Sequence, residues 1–256
     1  MPPTLSETCS PTLWLWAGRV LYLGPSLDLD RHSGAVSCVA VGLDEPFTVE
    51  VTGTVTARSA LIPARVRHRL RSPGGRMMFC YLDPGSPSER ACRAAMSQDT
   101  EPATRHRDED ELIALGRRLS ATPDADLADR WLDLAAPRPA SVVGHPGIRG
   151  AAEAVMNDPA RNWRAGELAA LAGWSTSAFL RGFRAETGTS FRRYRLWARM
   201  LRACQVLAGG GNLTLAAAEA GFATPSHLSS TFHTVFGLTP SRLLDTGVAI
   251  HDRTRP

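Results

Sequence analysis

The chain has 256 residues, a length that suits two modest domains, and a net charge of +4 from 29 basic and 25 acidic residues. All 29 basic residues are arginine. The five cysteines, Cys9, Cys38, Cys80, Cys92 and Cys204, are scattered, odd in number and without a Cys-x-x-Cys pair, which excludes a disulfide framework and a zinc finger and points to a reduced, cytoplasmic chain.

Taken in chain order, the first apolar stretch, Leu13–Leu23, is broken by Arg19 and has no basic segment before it, so neither a signal peptide nor a membrane span is expected. From Thr12 to Asp83, short runs rich in Val, Leu and Thr alternate with Gly, Pro and Asp. VSCVAVGL, FTVEVTGTV, SALIPA and RMMFCYL read as strands, with turns at LDEP and SPGG. Several short strands at close spacing suggest a small β-barrel or sandwich. After Pro84 the pattern becomes helical: Ser88–Met96, Glu109–Leu119 and Ala125–Ala135 read as helices with acidic residues near their starts. The Pro- and Gly-rich stretch from Pro137 to Gly147 is the expected linker.

The second half carries a repeat. Glu167–Gly188, ELAALAGWSTSAFLRGFRAETG, has a degraded copy at Leu215–Gly237, LAAAEAGFATPSHLSSTFHTVFG. Gly173 answers to Gly221 and Trp174 to Phe222; Phe179 answers to Leu228, Phe183 to Phe232 and Gly188 to Gly237, with one extra residue in the second turn. Each copy reads as helix, glycine turn, cap and amphipathic helix. Leu168, Leu171 and Ala172 give the first helix its apolar face. The glycine supplies the left-handed conformation that ends a helix, Ser175 or Thr224 caps the next one, and Pro225 sits at a first helical position. Phe179 and Phe183, or Leu228 and Phe232, anchor the second helix. Ser177, Leu180, Arg181 and Arg184 are left to face outward in the first copy, and Ser226, His227, Ser229, Ser230 and His233 in the second. A paired helix-turn-helix in one chain points to duplex DNA read across neighbouring turns of the major groove. The charge agrees: Met1–Ala140 has 16 arginines against 18 acidic residues, −2, and Ser141–Pro256 has 13 against 7, +6.

These residues resemble the DNA-binding domain of the AraC/XylS family of bacterial transcription regulators. The resemblance runs from about Pro146 to Leu244 through GELAALAGWS, FRAETGTSF, FRRYRLWARMLRACQVL, AAAEAGFATPSHLSSTF and VFGLTPSRLL. It implies two helix-turn-helix units joined by a linker helix, Phe191–Leu207, bearing Arg192, Arg193, Arg195, Arg199 and Arg202. It implies DNA-binding residues Ser175, Thr176, Ser177, Leu180, Arg181, Arg184, Thr224, Pro225, Ser226, His227, Ser229 and Ser230. Two positions depart from the family: Gly182 stands where Leu is usual, leaving a gap in the core face, and Ser230 stands where Arg is usual. The strand-rich part resembles the cupin-like sensor half of the same family, in RHSGAVSCVAVGLDEPF, ALIPARVRHRL and FCYLDP. Of the cupin metal ligands, His32 and the distal His68 are kept, but Gly34 replaces the second His of the pair and no acidic residue follows soon after. Two His are too few for a metal site, so no metal and no cofactor are expected.

The expected fold is therefore α+β. A cupin-like β-barrel with a helical extension occupies 1–136, a linker 137–147, and an all-α domain with two helix-turn-helix units 148–256. The expected partners are double-stranded DNA, a small-molecule effector in the barrel, RNA polymerase if the chain is an activator, and a second copy as a homodimer; no membrane is expected. A cupin-type enzyme with an appended helical domain is the alternative. It needs a catalytic constellation, and the chain has no GxSxG, HExxH or Walker loop. An adaptor that has lost DNA binding is a third reading, prompted by Ser230.

Overall fold

The computed structural model describes residues 10–16, 19–27, 29, 31–138, 145–187 and 189–253. Cys9, Gly188 and linker residues 139–144, singled out in the sequence, lie outside these. The described chain is α+β. It divides into two compact units, Met1–Pro84 with Ser88–Pro137 and Thr231–Pro256, and Gly85–Pro87 with Arg138–Ser230.

The first unit opens with a hairpin, β1 (Thr12–Trp16) and β2 (Arg19–Pro25), followed by β3 (Ser37–Gly42), β4 (Phe47–Glu50), β5 (Thr54–Ala57), β6 (Ser59–Ile62), β7 (Arg69–Arg71) and β8 (Arg76–Leu82). Helix α1 (Pro87–Ala95), β9 (Met96–Gln98), β10 (Ala103–His106), α2 (Glu109–Ala121) and α3 (Ala125–Ala135) complete its N-terminal part. The expected single strand FTVEVTGTV is in fact β4 and the first half of β5, because the chain turns at Val51–Gly53, where the Val51 N–H donates to the Gly53 carbonyl at 2.8 Å. β4 pairs with β5 and β7 in a three-stranded sheet; the remaining strands form an eight-stranded sheet.

The core of this unit lies between the large sheet and α2 and α3. Trp14, Leu21, Val39, Val41, Leu61, Met78 and Cys80 from the strands meet Leu112, Leu115, Leu119, Trp131 and Leu132 from the helices. Trp131 satisfies its buried indole N–H on the Leu112 carbonyl at 2.9 Å, as an indole in an apolar core must. Arg19, which interrupts the first apolar stretch, is itself buried. Its Nη1 donates to the Ala136 carbonyl at 3.3 Å and lies 3.7 Å from the Asp133 carboxylate.

The second unit is helical. It contains α4 (Pro146–Asn157), α5 (Ala165–Leu171), α6 (Thr176–Thr187), α7 (Phe191–Ala208), α8 (Leu213–Glu219) and the first half of α9 (Pro225–Phe236). The rest of α9, α10 (Pro240–Leu244) and a final strand β11 (Ala249–Asp252) belong to the first unit. Phe179 and Phe183 on α6 are fully buried with Ile148, Val155, Trp163, Leu168 and Phe191, and the rings of Phe179, Phe183 and Phe191 contact one another at 5.4–5.7 Å between centroids. No helix among the described residues is long and apolar enough to cross a membrane.

Candidate DNA-binding site

Both repeats end their first helix in the same way. Gly173 follows α5 with φ +71° and Gly221 follows α8 with φ +73°. Gly173 N–H donates to the Ala170 carbonyl and Trp174 N–H to that of Ala169; Gly221 N–H donates to Ala218 and Phe222 N–H to Ala217. These paired bonds form a Schellman stop, which uses a left-handed residue to satisfy the last helical carbonyls. The next helix is then capped by a hydroxyl. Ser175 Oγ accepts from Ala178 N–H at 3.3 Å, and Thr224 Oγ1 accepts from His227 N–H at 3.0 Å. The extra residue of the second turn, Ala223, is absorbed before the cap.

The apolar anchors turn inward and the remaining positions outward. Leu228 and Phe232 are buried on α9 as Phe179 and Phe183 are on α6. Ser175, Thr176, Ser177, Leu180, Arg181 and Arg184 are exposed, as are Thr224, Ser226, His227 and Ser230, while Pro225 and Ser229 are half-buried. Leu180, at 40 % exposure, is one of three large apolar residues left open to solvent among the described residues. Ser230 donates its hydroxyl proton to the His227 carbonyl at 3.1 Å.

The linker helix α7 uses several of its arginines within the protein. Arg199 donates to the Ala220 carbonyl at 2.9 Å and to the Gly221 carbonyl, and its guanidinium lies 4.0 Å from the centre of the Phe222 ring. Burial lowers its pKa, with a smaller contribution from Arg195. Arg199 therefore caps α8 and ties it to the linker. Arg202 pairs with Glu219, and Arg195 donates to Asn162 Oδ1 at 2.6 Å. Of the five arginines expected on α7, Arg192 is the fully exposed one. Helical periodicity alone could not separate these roles, because carbonyls from another helix turn decide which arginine folds inward.

Gly182 does not leave a gap. A Cβ built there would lie 2.5 Å from Trp174 Cζ3, so the indole of the turn occupies the space a larger residue would fill. Trp174 is in turn packed on His145, with ring centroids 4.4 Å apart. Gly182→Leu is therefore expected to destabilise the first helix-turn-helix by about 1–3 kcal/mol through overpacking, despite its better helix propensity. Adding Trp174→Ala should restore part of that loss, and urea midpoints of the single and double variants measure it. Additive losses would show that the two residues do not share the space.

In the first unit, His32 and His68 come together: their rings are 4.6 Å apart and their backbones form a two-bond bridge at 2.9 and 2.8 Å. His68 Nδ1 donates to the Val66 carbonyl at 2.9 Å, and burial lowers its pKa, so the ring is neutral at physiological pH with Nε2 as acceptor. Gly34 does not join them as a ligand position. A Cβ at Gly34 would lie 2.9 Å from the Val235 carbonyl of α9. Among the described residues no group of three or more His, Cys, Asp or Glu is disposed to hold a metal ion. A small cavity of about 40 Å³ opens beside the pair, lined by Leu27, Cys38, Phe79, Tyr81, Val235 and Phe236 among others.

Residues 168–246 match the family model described as a helix-turn-helix domain. The match marks a helix-turn-helix domain in the second half of the chain. No curated protein matches the chain. Among solved structures, it is similar to ToxT from Vibrio cholerae O395, with 12 % identity, a TM-score of 0.52, and coverage of 90 % of this chain and 98 % of that one. A single-substitution apo ToxT variant from V. cholerae strain SCE256 is similar at 13 % identity and the same TM-score, covering 90 % of this chain and 97 % of that one. At these identities the likeness is one of fold, and it extends over the strand-rich half as well as the helical one.

Proposed function

We propose that the chain reads a bipartite DNA site, α6 entering one major groove and α9 the next, about 34 Å or one helical turn apart. The observation that carries this reading is the duplicated stop and cap, Gly173–Ser175 and Gly221–Thr224, each setting an anchored helix with an exposed polar face. Ser177, Leu180 and Arg181 meet bases in the first half-site, and Ser226, His227, Ser229 and Ser230 in the second. Arg184, Ser175, Thr176, Thr224 and Pro225 contact or border the phosphates, where the helix N-termini present free N–H groups.

Residues 1–136 serve as sensor and dimerisation half, 137–147 as linker and 148–256 as reader. Residues 231–256 fall in the first compact unit. The cavity beside His32 and His68 has apolar walls and few polar groups, a lining that suits a small, largely apolar effector. The regulator works in the cytoplasm without catalysis, as a homodimer, with RNA polymerase as partner if it is an activator.

The test is DNA binding against salt. If phosphates supply most of the affinity, its logarithm falls linearly with the logarithm of salt concentration. A footprint of about six to ten phosphates loses about 10³- to 10⁵-fold between about 50 and 200 mM. An isotherm insensitive to salt would overturn the reading.

A further inference from the structure

We propose that Leu180 is a thymine reader: its side chain covers the C5-methyl group of one thymine in the half-site that α6 occupies. This rests on the DNA-reading assignment above.

Leu180 lies on the outward face of α6. The inward anchors, Phe179 and Phe183, are buried in the core of the helical unit, and Leu180 takes no part in that cluster. It stays 40 % exposed because of its neighbours along the helix. Side chains three and four residues away share a helix face. For Leu180 these include Thr176, Ser177 and Arg184, all of them exposed. Thr176 and Ser177 are too short to cover a leucine, and the Ser177 hydroxyl sits 3.4 Å from that of Ser175 at the helix start. Long helical side chains lean towards the helix N-terminus, so Leu180 leans over this low, polar turn. The N-terminal part of a recognition helix is the part that meets base edges. An apolar group thus stands above short hydroxyls at the place where a base pair arrives.

Leucine has no donor or acceptor and cannot join the hydrogen-bond code of the major groove. The one methyl group on a base edge there belongs to thymine. Covering it takes two apolar surfaces out of water at once. Adenine and guanine present polar edges instead, and cytosine lacks the methyl group.

The next residue narrows the position. Arg181 is exposed and has no hydrogen bond or ion pair among the described residues, which leaves its guanidinium to a guanine. Consecutive helical residues are about 1.5 Å apart along the axis, and base pairs about 3.4 Å apart along the duplex. Leu180 and Arg181 therefore serve the same or adjacent base pairs, and the thymine falls within about two base pairs of the Arg181 guanine. Leu171 supplies the contrast. It is 78 % exposed, but it is the last residue of α5, the helix that crosses the backbone without entering the groove. Exposure alone does not make a leucine a reader; its place on α6 does.

The experiment uses the intact chain and a duplex that it selects from a random pool. Each thymine of that duplex is replaced in turn by uracil, which removes the methyl group and keeps every donor and acceptor. One replacement should weaken binding about three- to fivefold, the effect of one methyl group taken out of water. The same replacement should leave Leu180→Ala unaffected. Leu180→Met keeps an apolar side chain and should retain most of the difference, and Leu171→Ala should retain all of it. The thymine-to-uracil ratio should hold between about 50 and 200 mM salt while both affinities fall, because a methyl contact releases no counterions. If no thymine shows a uracil effect, or if the effect persists undiminished in Leu180→Ala, the thymine assignment is overturned. Equal loss of the effect in Leu171→Ala would overturn it as well. An intact chain that selects no sequence from the pool would overturn the DNA-reading assignment instead.

Discussion

Gly221→Ala is expected to unseat the second reading head. At φ +73° an L side chain carries a penalty of about 1–2 kcal/mol. A Cβ at this position would also lie 2.7 Å from Ala160 Cα and 2.8 Å from the Ala160 carbonyl oxygen, and backbone atoms cannot rotate away. Overpacking of this kind adds about 1–3 kcal/mol, for a total of about 2–5 kcal/mol. The carbonyl of Gly221 also accepts from Arg199, so a shift of the turn would loosen the linker helix too. Gly173 offers the control. It has the same backbone conformation, but a Cβ there meets nothing within 4 Å, so Gly173→Ala should cost only the conformational part, about 1–2 kcal/mol. Denaturant midpoints, with DNA titrations of both variants, check the pair. Equal losses would mean that the Ala160 approach has no energetic weight.

Arg181→Ala is expected to remove most of the sequence discrimination. Arg181 is exposed on α6 at a proposed base-facing position and has no hydrogen bond or ion pair among the described residues. A bidentate arginine on guanine O6 and N7 is worth about 1–3 kcal/mol of discrimination. The variant should lose about that much affinity and relax preference at one guanine. α9 carries no arginine or lysine, and the Ser230 hydroxyl proton is already given to the His227 carbonyl. Ser230→Ala should therefore cost much less, while Ser230→Arg should raise affinity broadly by adding a cation. Binding curves on the native site and on single-base variants give the measurement. If Arg181→Ala weakens every sequence equally, the residue is a phosphate contact and the asymmetry between the two heads fails.

The two helix-turn-helix units were legible because their signals are local. A left-handed glycine, an N-capping hydroxyl and aromatic anchors four residues apart each act within one or two turns of helix. Gly173, Ser175 and Phe179, with Gly221, Thr224 and Leu228, thus determined the duplicated unit before any tertiary contact was known. Ala125–Ala135 was equally readable, since Asp124 caps its first turn by accepting from Leu127 N–H at 2.7 Å. The length and apolar run of RMMFCYL likewise determined β8.

Other features were decided only by tertiary structure, because their partners lie far away in sequence. Gly182 looked like a defect in a helix until the Trp174 ring was found over it. Arg199 was one of five similar arginines until the carbonyls of Ala220 and Gly221 placed it inside. β11 has four residues with a mixed pattern, Ala-Ile-His-Asp, and no turn signal of its own; its strand character comes from β1, 237 positions earlier at the Thr12–Ala249 pairing. Parallel pairing over that separation leaves no periodicity to read, since the bonds that stabilise it are made by the other strand. The seat of Gly34 against the Val235 carbonyl was hidden for the same reason. Local chemistry determined that this chain carries two helix-turn-helix units, and long-range packing decided which arginines of the linker helix fold inward.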